Sequence, residues 1–168
     1  NLARCLKRIS EIYNLNIIIK PHPRETSQMR NLLKAQFSNE RDFSIIEDVP
    51  PEELFLNASI SLLHNSSLLD NILLSNKYGL SININTYKHN ISHYSDSNKE
   101  ILECKTWESL DSKICSILDV NDNSYKTKYQ NMLVTFRDEF TQYTIDDLVD
   151  DVINQAQVKK KPGGLPDI

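Results

Sequence analysis

The stretch SISLLHNSSLLDNILLSNKYGLSINI, residues 59–84, changes hydrophobic rhythm twice. Residues 59–64 form an apolar run of strand length. Leu68, Leu69, Ile72, Leu73 and Leu74 then recur at helical spacing, with Asn65 and Ser66 in front of them as capping residues. Residues 78–84 return to a strand. Two strands joined through a helix run parallel, and parallel strands lie in a sheet covered by helices on both faces.

Working outward, the alternation continues in both directions. Towards the amino terminus, Leu2, Cys5, Leu6, Ile9, Ile12 and Tyr13 keep a helical period, and Ile17, Ile18 and Ile19 make a short buried strand. Thr26 or Ser27 caps a helix carrying Met29, Leu32, Leu33 and Phe37, and residues 43–46 are a second strand. Pro50 and Pro51 open another helix, with Glu52 and Glu53 facing the positive end of its dipole. Towards the carboxyl terminus, residues 85–98 are polar and irregular and read as a mobile loop. A short strand around Ile101 and Leu102 and helices over residues 107–118, 124–140 and 145–156 complete the chain. The fold class is α/β, a Rossmann-like doubly wound parallel sheet with additional C-terminal helices. Residues 1–120 form the nucleotide-binding domain, 121–157 carry helices packing on it, and 158–168, basic and then Gly/Pro-rich, are a flexible tail.

Composition narrows the function. A chain of 168 residues suits one compact domain, and a net charge of −4 with no long basic face argues against nucleic acid as a partner. Cys5, Cys104 and Cys115 are odd in number and widely spaced, a pattern of reduced thiols that points to the cytoplasm. No apolar run approaches the roughly 18 residues of a membrane span. The lysines at 159–161 suggest at most a peripheral contact with the inner membrane face. Starting at Asn1 without methionine, the chain reads as a piece of a longer protein.

Two unusual segments fall at strand carboxyl ends, where open α/β sheets bind ligands. One is Lys20-Pro21-His22-Pro23-Arg24, in which two prolines hold an imidazole between two cations. His22 there is either an idle turn histidine or a group that contacts a phosphate and protonates it as it leaves. Lys20 and Arg24 raise the local positive potential, which suits an anion. The other is His64-Asn65-Ser66-Ser67. A helix start with two hydroxyls there is either an ordinary N-cap or a phosphate cradle. Glu47 and Asp48, after the second strand, either accept from ribose hydroxyls or form a solvated turn. Asp70, one turn into the Ser-Ser helix, faces either ligand or solvent. His89 and His93 are spaced i, i+4 but lack the cysteine or carboxylate support of a zinc site. With three glycines and no Gly-rich phosphate motif, a glycine-cradled nucleotide site is excluded. No cofactor and no metal is expected.

The order IIIKPHPRE, then EDVPPEELFLNASISLLHNSSLLDNILLSNKYGLSI, resembles the carboxyl-terminal, donor-nucleotide-binding half of bacterial GT-B glycosyltransferases. The likeness is greatest to sialyltransferases and capsule polysialyltransferases, which carry a His-Pro motif and then a Ser-Ser motif, and it covers residues 17–84. It implies that His22 contacts the donor phosphate and that Ser66 and Ser67 bind the same phosphate. It further implies a CMP-activated sugar donor (sialic acid or a related keto-sugar), a glycan acceptor, and inverting transfer without a metal. The base, a carboxylate, would belong to an amino-terminal Rossmann-like domain absent from this chain. Teichoic-acid glycerophosphotransferases using CDP-glycerol and UDP-N-acetylglucosamine 2-epimerases share the His-Pro loop. Several such relatives carry a glutamate shortly after the small residues, where this chain has Leu69-Asp70-Asn71. A non-catalytic α/β interaction domain remains the alternative from another class.

Overall fold

The computed structural model describes residues 2–38, 40–64, 67–84 and 94–141. It is a mixed α/β structure whose short parallel strands form two small sheets among helices. The elements run α1 (Leu2–Tyr13), β1 (Ile17–Ile19), α2 (Ser27–Phe37), β2 (Phe43–Ile45), α3 (Pro51–Asn57) and β3 (Ile60–Leu63). Then follow α4 (Leu69–Leu74), β4 (Tyr78–Ile82), α5 (Asp96–Leu102), β5 (Glu103–Cys104), α6 (Trp107–Leu118) and α7 (Asn123–Thr141). One sheet pairs β1 with β2, the other has the order β3-β4-β5, and every pairing is parallel.

Local chemistry sets the ends of these elements. Asn14 (φ 51°) and Asn76 (φ 58°) take the left-handed conformation that asparagine tolerates, and each terminates a helix. After α1, Leu15 N–H donates to the Ser10 carbonyl at 3.1 Å. After α4, Lys77 N–H donates to the Ile72 carbonyl at 3.1 Å and Asn76 N–H to that of Leu73 at 3.0 Å, so the last turns are closed by backbone bonds. Thr26 and Thr106 cap α2 and α6 by accepting from Met29 N–H and Ser109 N–H. Pro51 opens α3, with Glu52 and Glu53 in its first turn.

The three-stranded sheet is covered on both faces. Leu80, Ile82 and Cys104 pack against Ile9 of α1 and Leu110, Ile114 and Ile117 of α6. On the opposite face α4, α5 and α7 meet through Leu69, Leu73, Leu102, Tyr129, Met132, Leu133 and Phe136. Gly79 of β4 faces α4, and a Cβ there would lie 2.8 Å from Leu69 Cδ1 and 3.0 Å from Ile72 Cγ2. Helix and strand therefore approach as closely as they do because position 79 has no side chain. Helix α7 packs on α4, α5 and α6.

Three expectations change. Ile101 and Leu102 are the last turn of α5, not a strand, and the strand is the two residues that follow. Ser95, which accepts from Asn98 N–H, caps α5, and burial of Leu102 between α4 and α7 holds its last turn. The expected loop is therefore helical from Asp96, whereas residues 85–93 lie outside the described residues. Ile18, expected to be buried, is 51% exposed. Phe37 of α2 stacks on Phe43 (centroids 4.8 Å apart) and covers one face of the β1–β2 sheet, while Ile18, paired with Ser44, alternates to the other. The helix expected over residues 145–156 and the tail at 158–168 lie outside the described residues. Among the described residues no helix is long and apolar enough to cross a membrane.

Candidate functional site

Beyond β1 the chain turns through Pro21, which is buried, to His22, Pro23 and Arg24, which are exposed. Arg24 N–H donates to His22 Nδ1 at 3.1 Å, and Glu25 N–H donates to the His22 carbonyl at 2.9 Å. Because Nδ1 accepts, the neutral ring carries its proton on Nε2, which is the nitrogen left to act as a donor. The Arg24 amide thus favours one tautomer of an imidazole that the turn holds at the carboxyl end of a strand.

The same corner is organised by Glu47, which follows β2. Its Oε1 accepts from Lys34 Nζ at 2.6 Å and its Oε2 from Arg30 Nη1 at 3.2 Å. Lys34, followed by Arg30, holds the carboxyl below the usual carboxylate range. Lys20 Nζ donates to the Glu47 carbonyl, and Arg30 Nη2 donates to the Pro23 carbonyl at 3.0 Å. Glu47 therefore spends both carboxylate oxygens on α2, whereas the sequence left a ribose contact and a solvated turn both open. Asp48 beside it is exposed. Lys20, Arg24, Arg30 and Lys34 stand against Glu25, Glu47 and Asp48, a small positive excess at this end of the sheet.

Asn65 and Ser66 lie outside the described residues. Ser67 is exposed in the turn before α4. The N-cap of α4 is Leu68, without a side-chain cap bond, so the helix begins later than Asn65 and Ser66 suggested as caps. Burial decides this start, because Leu69, Ile72 and Leu73 all face the core. Asp70, in the first turn, accepts from the hydroxyl of Tyr94, a buried residue, rather than turning to solvent. Burial, followed by Asp70, pushes the Tyr94 phenol well above its ordinary range.

The structure thus brings Lys20, His22, Arg24 and Glu47 together at the end of the β1–β2 sheet. Ser67 and Asp70 stand at the end of the other sheet. Sequence reasoning missed Arg30 and Lys34, although their i, i+4 spacing already put them on one face of α2. It also missed a buried pair at the ends of β4 and β5, where Asn83 Nδ2 donates to Glu103 Oε1 at 2.6 Å. Glu103 Oε2 in turn pairs with Lys105 Nζ at 3.1 Å. Alternation alone could not assign these, since Asn83 lies just past the end of β4 and Glu103 opens a strand of two residues. Among the described residues no cluster of three or more His, Cys, Asp or Glu could hold a metal ion; His89 and His93 lie outside them. Comparison with protein-family models, with curated proteins and with solved structures finds no match for this chain.

Proposed function

We propose that this chain is the donor-nucleotide-binding half of a bacterial GT-B glycosyltransferase of surface-polysaccharide synthesis, taking a CMP-activated sugar. The carrying observation is His22, held by flanking prolines at a parallel strand's carboxyl end with Nδ1 satisfied from within and Nε2–H as donor. Supporting it are the alternation of parallel strands with helices and the cations of the same corner. Set side by side at β1 and β3, the two separate parallel ladders would give the Rossmann-like order 2-1-3-4-5, whose ligand crevice would open between the ends of those two strands. Residues 65–67 and the 21–24 turn would then form its two walls.

In this reading the nucleotide phosphate sits between His22 and the Ser66 and Ser67 hydroxyls. Nε2–H donates to the phosphate oxygen on which charge develops as the sugar leaves. The acceptor hydroxyl attacks the anomeric carbon from the opposite side while a carboxylate of a second Rossmann-like domain takes its proton. This chain by itself then binds nucleotide and does not complete transfer. The test is calorimetric titration with CMP, CDP and UDP, repeated on His22→Ala and Ser66→Ala. Binding of CMP or CDP that both substitutions weaken is the expected result. Binding of none of the three sinks the reading, and tight UDP binding without CMP moves the chain to the epimerase group.

A further inference from the structure

The backbone unit between Pro23 and Arg24 is gripped at both ends. Its carbonyl accepts from Arg30 Nη2 at 3.0 Å, and its N–H donates to His22 Nδ1 at 3.1 Å. Rotating that peptide plane breaks both bonds together, because a trans peptide moves its C=O and N–H as one rigid unit. The guanidinium on the outer end is itself fixed. Arg30 Nη1 is held by Glu47 Oε2 at 3.2 Å, and Nε is buried without a partner among the described residues, so among these only the two Nη groups set its orientation. Glu47 is fixed in turn by Lys34 on the next turn of α2 and by Lys20, whose Nζ donates to its carbonyl. The side chains of Arg30 and Glu47 are 31% and 29% exposed, so the pair is only partly screened by water.

We infer that Arg30 and Glu47 are positioning residues that fix the tautomer and aim of the His22 imidazole. They act through the Pro23–Arg24 peptide and touch no ligand. The chain of bonds runs from the end of β2 through Glu47, Arg30 and the Pro23 carbonyl to the Arg24 amide and the ring. Arg30 decides which way that amide points, the amide makes Nδ1 the acceptor, and Nε2–H is left outward for an anion. In this scheme Glu47 is the anchor of a rigid donor, and the phosphate meets an imidazole already oriented. The ligand side of the inference rests on the nucleotide-binding reading above; the geometric side does not.

Two measurements on the whole chain separate the two. The first is the nitrogen spectrum of the His22 ring without nucleotide, in wild type, Arg30→Met, Arg30→Lys and Glu47→Gln. Wild type should show an unprotonated Nδ1 and a protonated Nε2 in the neutral ring. Arg30→Met and Glu47→Gln should show a mixture of tautomers, and Arg30→Lys, which keeps a donor but not the fork, should lie between. The second is CMP affinity by calorimetry in the same set, with His22→Ala and the double variant His22→Ala/Arg30→Met added. Arg30→Met should weaken CMP about five- to tenfold, the scale of one partly screened charge-assisted hydrogen bond. The double variant should bind within about twofold of His22→Ala, since a residue acting only through the ring has nothing left to act on. Losses that multiply in the double variant would show Arg30 on the phosphate itself and overturn the assignment. Unchanged ring nitrogens in Arg30→Met and Glu47→Gln overturn it as well. Wild-type chain that ignores CMP while the ring nitrogens shift as expected removes the nucleotide reading and upholds the positioning role.

Discussion

The hydroxyl of Tyr129 lies 2.7 Å from the Gly79 nitrogen and 3.0 Å from the Gly79 carbonyl oxygen, accepting from one and donating to the other. The backbone of β4 explains why it is there. Asn83 N–H donates to the Cys104 carbonyl, and Ser81 stands beside Glu103, so the backbone N–H and C=O of odd-numbered residues of this strand point to the β5 side. But β5 spans only Glu103–Cys104 and stops short of Gly79. Its two backbone groups would be buried without partners, and one phenol from α7 supplies both.

Tyr129→Phe should therefore cost about 2–4 kcal/mol, because it strands a donor and an acceptor while leaving the ring in place. Urea unfolding of the variant against wild type measures it. A loss within about 0.5 kcal/mol, the range of an ordinary surface substitution, would show that water or another group takes over both bonds.

Gly79→Ala tests the close approach of α4 to the same strand. The added methyl meets Leu69 Cδ1 at 2.8 Å and Ile72 Cγ2 at 3.0 Å, and the branched Ile72 has few rotamers in a helix with which to yield. A loss of about 1–3 kcal/mol is expected, with part of it recovered when Leu69→Val, which removes Cδ1, is added. Strict additivity of the two substitutions would count against the contact.

Alkali should weaken the core through Cys104. Burial lifts this thiol from 9.0 to about 11. A group whose folded value is raised lends stability that is complete below its unfolded value and disappears as pH rises to the folded one. Stability should therefore fall between pH 9 and 11, by up to roughly 3 kcal/mol from this group. Cys104→Ala should lower stability at neutral pH through the lost sulfur contacts, yet flatten that part of the profile. Buried Tyr94 and Tyr129 and half-buried Tyr125, all raised chiefly by desolvation, continue the fall at higher pH.

Acid should act on Glu47 in the opposite sense. Lys34 and then Arg30 hold its carboxyl below its ordinary 4.5. A depressed carboxylate lends stability that is present above its unfolded value and lost as pH falls through the folded one. Wild type should thus lead Glu47→Gln in urea midpoint at neutral pH and converge with it in acid. A gap independent of pH would mean that shape, not charge, accounts for the difference.

Much of the local structure was legible because its causes are local. The spans of α1, β1 and α6 follow from apolar spacing and from punctuation such as Asn14 and Thr106, which act on residues within one turn. The Lys20–Arg24 turn was legible as a special place for the same reason. Its wiring was not: Arg30 reaches Glu47 across 17 residues, Tyr94 reaches Asp70 across 24, and Tyr129 reaches Gly79 across 50. Residues 101–102 failed in the same way, since two apolar residues fit a strand or a helix end until burial against α4 and α7 chooses. By itself the sequence determined parallel strands alternating with helices, and an imidazole held at the end of the first strand. Only the tertiary structure decided that Glu47 serves α2 and that a tyrosine completes β4. Such pairings depend on where each crossover returns the chain, and periodicity carries no information about that.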